Sequence, residues 1–333
     1  MSALTLLFVL LAVAFLFDFL NGVHDSADAV ATIIASRAMS ARGALTLAAV
    51  ASLAGPFLLG VAVAETVGAG VVLPQSITIS VVLAALLAAG LCNAVTWYFG
   101  IPVSSTHALI GGMVGAAAAG SGPAAIQAQG LWKVALVLFA SPALGFAAAL
   151  AIMRALRWLL RNATPKANTA LSRAQVLTAA ALAMSHGAND AQKTVGMISL
   201  GLVTLGLTPA FVVPWWAVAL SASAIALGTA VGGWRIIRTL GLNFYRIRPI
   251  HSFTAQSASA AVILAASLAG APVSTTQVTS LAIVGAGAAE RKSQVRWSVL
   301  GEIAIAWILT LPAAVLLAVP LHYLVQAMLA HGG

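Results

Sequence analysis

Long apolar stretches separated by short polar gaps dominate the chain. Splitting the sequence at its polar residues and at glycine and proline gives ten such stretches, five in each half. They run 3–36, 44–64, 76–99, 104–119 and 131–153 in the first half, and 174–205, 210–233, 250–268, 274–289 and 297–320 in the second. Because about 20 apolar residues cross a bilayer as a helix, the pattern predicts roughly ten crossings and an all-α polytopic membrane protein.

Composition excludes several classes of protein. Of the 333 residues, 61% are hydrophobic and only 7% are charged, and the mean hydropathy is +1.04. A soluble domain carries about 25% charged residues, so a soluble enzyme and a nucleic-acid binder are both disfavoured. The net charge of +9 comes from Lys and Arg in the gaps between apolar stretches, which is typical of membrane orientation rather than of a polyanion surface. No nucleophile and base can be placed, so we do not expect an enzyme.

Two motifs recur in the same order and indicate an internal duplication. Asn21-Gly-Val-His-Asp aligns with His186-Gly-Ala-Asn-Asp at an offset of 165 residues, and Gly100-Ile-Pro-Val-Ser-Ser-Thr-His aligns with Gly270-Ala-Pro-Val-Ser-Thr-Thr-Gln at an offset of 170. The sequence therefore predicts a first repeat over 1–153, a basic linker over 154–173 and a second repeat over 174–333.

The distribution of Lys and Arg predicts the orientation of the two copies, because these residues accumulate on the cytoplasmic side. If the linker is cytoplasmic and each half crosses an odd number of times, the basic gaps near 37–42, 235–248 and 291–296 also lie inside. The gaps 65–74 and 119–130, which lack Lys and Arg, then lie outside. We therefore expect both termini outside, the linker in the cytoplasm and repeats of inverted topology.

Two kinds of stretch have an unusual length. The 34 residues of 3–36 would form a helix of about 50 Å, longer than the roughly 30 Å hydrocarbon core. We therefore expect broken helices, with the breaks at the polar motifs Asn21–Asp28 and Ser185–Lys193. The stretch 104–119 is short and follows a Pro-containing turn, so it is interpreted as one arm of a re-entrant hairpin. Such interrupted segments in inverted repeats favour a transporter.

Carboxylates lie in or beside the polar motifs Asn21–Asp28 and Ser185–Lys193. Asp18, Asp25, Asp28 and Asp190 are all the aspartates of the chain, and an ionised carboxylate persists inside a membrane only when it is paired, ligated or facing water. The alternative is that they cap helices at the membrane surface, which for Asp18 remains equally open. The residues predicted to bind or couple a cation are Asn21, His24, Asp25, Asp28, Asn189 and Asp190, with sodium possible at Asp25 and Asp190.

Hydroxyl residues follow proline in the second motif. A helix that begins there presents free backbone N–H groups, hydroxyl donors and the positive end of its dipole, which suits an anion. The alternative is that the hydroxyls bond to the backbone of their own helix. The residues predicted to bind the substrate are Ser104, Ser105, Thr106, Ser274, Thr275, Thr276, Gly22, Gly187 and Lys193.

Acidic centres beside anion-binding tips predict co-binding of an anion with cations or protons, because carboxylates alone would repel the anion. Asp28 and Lys193 occupy the same position of the two repeats. We expect them to pair near the membrane midplane, since the pair removes most of the cost of either lone charge. Direct contact of Lys193 with the anion is the rival interpretation.

These motifs resemble the inorganic phosphate transporter (PiT) family, in the form of its bacterial low-affinity permeases. The resemblance covers essentially the whole chain and rests on Asn21-Gly-Val-His-Asp-Ser-Ala-Asp, Ser185-His-Gly-Ala-Asn-Asp and the two Pro-Val-Ser tips. It implies cation-coupled symport of inorganic phosphate by alternating access in a bacterial inner membrane. Asp25 and Asp190 match the signature aspartates of the family, and both tips match its hairpins.

The resemblance leaves several points open. His24 stands where the Asn-Asp form of the signature has asparagine, so the coupling ion is sodium or a proton. A sulfate permease of the same fold and a passive anion channel are the alternative functions. The expected partners are inorganic phosphate and the lipid bilayer, with no nucleic acid and no cofactor besides the coupling ion, and a homodimer is left open.

Overall fold

Helices make up almost the whole molecule. A computed structural model describes residues 2–331. The protein is 83% helical, and the described residues contain no strand. The first half contains α1 (Ala3–Ala35), α2 (Ala41–Leu58), α3 (Ala62–Gly70), α4 (Ile79–Phe99), α5 (Ser105–Ser121) and α6 (Ala128–Leu159). The second half contains α7 (Lys166–Thr204), α8 (Trp215–Val231), α9 (Trp234–Leu242), α10 (Pro249–Leu268), α11 (Thr275–Glu290) and α12 (Trp297–His331).

The two halves interlock by equivalent contacts. α1 packs against α8 and α9 of the second half, and α7 packs in the same way against α2 and α3 of the first. Likewise α5 packs on α12, and α6 packs on α11. The same order of helices is thus used twice, as the duplication predicts, and neither half buries its helices alone.

Apolar side chains form two main clusters, and α1 and α7 connect them in opposite order. α1 contributes Leu10 to the first cluster and Ile33 to the second, whereas α7 contributes Ala183 to the second and Ile198 to the first. Along each helix the polar motif lies between the clusters. This arrangement agrees with inverted copies, and the inversion itself stays a prediction.

Several helices have the length and composition of membrane spans. Among the described helices, α1, α2, α4, α6 and α12 are long and apolar enough, and α8 with α9, bent by 70°, would make a sixth span. The expectation of roughly ten crossings stays a prediction. α5 and α11 have only 17 and 16 residues, and α7 and α10 carry many polar residues.

The predicted breaks at the polar motifs are wrong. α1 continues through Asn21–Asp28 for 33 residues in all, and α7 continues through Ser185–Lys193 for 39. The backbone of both motifs stays hydrogen-bonded within its helix, and the polar side chains are buried against other helices instead. The predicted linker is largely helical as well, and only residues 160–165 separate α6 from α7.

Short helices begin at both predicted tips. The chain turns at Gly100 (φ 72°) and Gly270 (φ 68°), a left-handed conformation that glycine adopts without strain. It then enters α5 and α11, whose 16 to 17 residues span about 25 Å at 1.5 Å per residue, less than a full crossing. The hairpins α4–α5 and α10–α11 therefore have the dimensions expected of re-entrant arms.

Candidate functional site

Polar side chains from four helices meet between the two apolar clusters. The motifs of α1 and α7 face the first residues of α5 and α11, and every one of these side chains is at most 5% exposed. We define the central cluster as Asn21, His24, Asp25, Asp28, His186, Asp190 and Lys193 with the tip residues Ser105, Thr106 and Thr276. The two repeat motifs, far apart in sequence, thus form one buried site.

The carboxylates of α1 accept hydrogen bonds from both tips. Asp25 lies 2.5 Å from Nδ1 of His24 and accepts from Ser105 at 3.2 Å and from Thr276 at 3.3 Å. Asp28 accepts from the same Thr276 hydroxyl at 2.8 Å, and its second oxygen, Oδ1, has no partner. The first-repeat motif is therefore held to the tip of α11 as well as to that of α5.

The carboxylate of α7 has a different set of partners. Asp190 lies 2.5 Å from the Lys193 ammonium and 2.7 Å from Nε2 of His186, and Asn21 donates to it at 3.3 Å. Lys193 also donates to Thr106 at 2.6 Å and to the carbonyl of Val273 at 3.2 Å. The expected pair of Asp28 with Lys193 is wrong. Lys193 forms its ion pair with Asp190, one helical turn away on the same helix.

Three ligand groups lie close enough to hold a metal ion. One atom each of Asp25, His186 and Asp190 lie within 4.8 Å of one another. Carboxylate oxygens suit a hard cation, and the unpartnered Oδ1 of Asp28 is a further buried acceptor. These residues could hold a cation between Asp25 and Asp190, and a sodium ion at this place stays a prediction.

The formal charge of the central cluster requires compensation. Three buried carboxylates and one ammonium give −3 + 1 = −2 when both histidines are neutral. Two unbalanced negative charges inside a membrane are costly. Protonation of His24 and His186, which already contact Asp25 and Asp190, gives 0, and a bound cation reduces the charge in the same direction.

The tips supply donors and helix dipoles to the same place. Ser104 and Ser274 act as N-caps, accepting from the N–H of His107 at 3.2 Å and of Gln277 at 3.3 Å. Thr275 is buried beside them. Because both helices begin at the central cluster, their positive ends lie beside the carboxylates, where an anion would be favoured once the negative charge is reduced.

Three of the predicted site residues lie against neighbouring helices. A Cβ on Gly22 would come within 2.3 Å of the carbonyl of Ile225, and one on Gly187 within 2.5 Å of the carbonyl of Ser52. Close helix packing explains why both positions are glycine, and their contact with substrate stays a prediction. Asn189 donates to Ser267 at 2.9 Å, and its oxygen has no partner.

Other polar residues of this region were not among the predicted site residues. His186 precedes Asp190 by one helical turn, a spacing that could have identified it. Asn93, an amide in the otherwise apolar α4, donates to Asn21 at 3.3 Å. The open question about Asp18 is answered in part, because its carboxylate is buried and accepts from Thr194 and Ser221 instead of capping a helix.

Three comparisons relate the chain to known proteins. The sequence model of the phosphate transporter family matches residues 21–318. A probable low-affinity inorganic phosphate transporter of Rhizobium meliloti (strain 1021) is 44% identical over 317 residues, 95% of each chain. One of Bacillus subtilis (strain 168) is 39% identical over 327 residues, 97% of each chain. A solved structure described as the sodium-dependent phosphate transporter has the same fold, with a TM-score of 0.90, 22% identity and coverage of 97% of this chain and 99% of that one.

Proposed function

Because the chain belongs to the phosphate transporter family, we propose that it carries inorganic phosphate together with a cation across the cytoplasmic membrane of a bacterium. The observation that supports this best is the meeting of three carboxylates with the hydroxyls and helix N-termini of both tips. Such a site repels an anion when the carboxylates are uncompensated and attracts one when a cation or proton is present.

The hydrogen bonds of the central cluster suggest how the two substrates are coupled. The hydroxyls of Ser105 and Thr276 donate hydrogen bonds to carboxylates, and the ammonium of Lys193 donates to Asp190. A cation that takes over these carboxylates releases the same donors. Because hydroxyl and ammonium donors bind phosphate oxygens well, the released groups hold the anion. The cation and phosphate therefore bind together more favourably than either does alone.

Two coupling ions satisfy the charge balance. Sodium is supported by the proximity of Asp25 and Asp190 and by the name of the related solved structure. Protons are supported by the direct contacts of His24 and His186 with the same aspartates.

The arrangement of the two hairpins supports alternating access. The tip of α5 meets the tip of α11 where Thr106 donates to the carbonyl of Val273 at 2.9 Å. In inverted repeats the two hairpins enter from opposite sides of the membrane, so moving one away from this contact opens one side only. The site is then exposed to one compartment at a time.

Proteoliposomes loaded with the purified protein test the proposal. Labelled phosphate is added with an imposed sodium gradient at equal pH, or with an imposed pH gradient in the absence of sodium. We expect accumulation above the external concentration under one gradient, abolished by the ionophore that dissipates it and absent from protein-free liposomes. Downhill entry alone would indicate a channel and overturn the coupling, and stronger inhibition by sulfate than by unlabelled phosphate would overturn the choice of anion.

A further inference from the structure

A cavity lined by arginines lies at the end of α1, beside α9 and the start of α10. Its volume is about 740 Å³. Among its described lining residues none is acidic, and five are arginines, namely Arg37, Arg238, Arg246, Arg248 and Arg296. We call this the arginine cavity.

Most of these charges have no ion-pair partner among residues 2–331. Arg248 pairs with Glu290, which also contacts Nε2 of His251 at 2.7 Å. The other four arginines of the arginine cavity form no ion pair with any residue of the described chain. Like charges around one concavity repel and raise the local positive potential. An anion of the right shape would remove this cost.

A buried polar column leads from the central cluster to the arginine cavity. Along one face of α1, Asp28 is followed at helical spacing by Thr32 and then by Ser36, which lines the cavity. Thr32 accepts from Gln256 at 3.1 Å, and Ser36 donates to Gln175 at 2.6 Å. Ser36 follows Asp28 by eight positions, which corresponds to a rise of about 12 Å along the helix axis at 1.5 Å per residue.

The amides of this column have no role in the central cluster. Gln175 and Gln256 are both 0% exposed, and Thr178 joins them by donating to Gln256 at 2.6 Å. Buried amides cost free energy that an apolar core would avoid. A hydrated route between the central cluster and the arginine cavity explains why polar groups line this path, with the hydrogen-bonded amides closing it in the present conformation.

We propose that the arginine cavity is a second anion-binding site, separate from the central cluster, which takes a phosphate-group anion at the end of the polar column. Guanidinium groups hold phosphate oxygens by paired hydrogen bonds. The anion has two chemical sources, free inorganic phosphate on its way to or from the central cluster and the headgroup of an anionic lipid. The first source rests on the proposed transport function, and the second does not.

Protection from an arginine-specific reagent tests the site without any transport assay. The protein is placed in phosphatidylcholine nanodiscs and treated with phenylglyoxal, and modification is followed by mass spectrometry of peptides. We expect inorganic phosphate to slow modification of Arg238 and Arg246 at least about threefold relative to that of Arg291, an exposed arginine on the same face outside the cavity. A second set of nanodiscs contains phosphatidylglycerol and no phosphate.

The outcomes separate the sources. Protection by phosphate in neutral lipid identifies free phosphate, and protection by phosphatidylglycerol alone identifies a lipid headgroup. Equal modification of Arg238, Arg246 and Arg291 under all conditions would overturn the site. If the protein transports no phosphate in proteoliposomes, the proposed function fails, yet the protection data still decide whether the cavity binds an anion.

A charge-neutralising variant links the site to transport. Arg238→Gln with Arg246→Gln should raise the phosphate KM about three- to tenfold when phosphate is supplied from the side of the arginine cavity, because the cavity no longer concentrates the anion. The KM from the opposite side should stay unchanged. Arg291→Gln with Lys292→Gln removes the same charge outside the cavity and is the matched control. A KM unchanged from both sides would exclude free phosphate as the occupant.

Discussion

Replacing Lys193 by methionine tests the buried ion pair at the centre of the molecule. The ammonium is 3% exposed and donates to Asp190 at 2.5 Å, to Thr106 at 2.6 Å and to the carbonyl of Val273 at 3.2 Å. Methionine fills a similar volume but removes the charge and all three donors. Removing one member of a buried ion pair typically costs about 3–5 kcal/mol. We expect a loss of folding free energy of that size and loss of phosphate uptake.

Double variants identify the partner that matters. Asp190→Asn combined with Lys193→Met removes both charges, so the free energy of unfolding should return to within about 1–2 kcal/mol of the parent protein, since breaking only one side leaves the unpaired charge. Asp28→Asn combined with Lys193→Met leaves Asp190 unpaired and should not recover stability. Neither double variant should regain coupled uptake.

Unfolding in mixed detergent micelles, followed by circular dichroism, measures these free energies, and labelled phosphate uptake is measured on the same preparations. Stability of Lys193→Met equal to that of the parent would refute the buried pair. Recovery with the Asp28 variant instead of the Asp190 variant would show that the lysine belongs to the other aspartate, as the repeat alignment alone suggests.

Further predictions concern the carboxylates, the tips and helix packing. Asp25→Asn should abolish uptake driven by either gradient in proteoliposomes while the protein remains folded by circular dichroism, and normal uptake would contradict the cation site. Thr106→Val and Thr276→Val should each weaken phosphate binding by roughly 1–3 kcal/mol, measured as KM, and unchanged values in both would return the hydroxyls to a structural role. Gly22→Ala should lower the yield of folded protein, because its Cβ would lie 2.3 Å from a carbonyl of α8, whereas Gly301→Ala, with open space around it, should not.

Residue identity alone predicts the chemistry of the site, because buried charge inside a membrane is rare. Asp25 and Asp190 stand out in apolar surroundings at equivalent places of a duplication, and the structure brings one atom each of Asp25, Asp190 and His186 within 4.8 Å of one another. The tips are predictable for a similar reason, since proline followed by Ser104 or Ser274 starts a helix by N-capping. These are local features that require no knowledge of distant contacts.

The continuity of α1 and α7 could not be predicted from length. A helix of 39 residues is too long for the hydrocarbon core, but its first turns, near Lys166, are exposed and lie beyond the apolar region. The ion-pair partner of Lys193 was equally hard to predict. Asp28 matches Lys193 in the repeat alignment, but Asp190 lies one turn from Lys193 on the same helix. Proximity along a helix outweighed symmetry between repeats.

Equivalent positions of the two repeats nevertheless hold equivalent partners, with opposite chemistry. Asp28 of the first repeat accepts from Thr276 of the second repeat's tip, and Lys193 of the second repeat donates to Thr106 of the first repeat's tip. Each motif therefore holds the hairpin of the other half. Thr106 gives its own proton to the carbonyl of Val273, whereas the proton of Thr276 is held only by carboxylates. Neutralising Asp25 alone would release Ser105 of the first tip, whereas Thr276 of the second tip is released only when Asp25 and Asp28 are both neutralised. We therefore expect the coupling ion to release the hydroxyls of the two tips to different degrees, while Thr106 keeps its hydrogen bond to Val273.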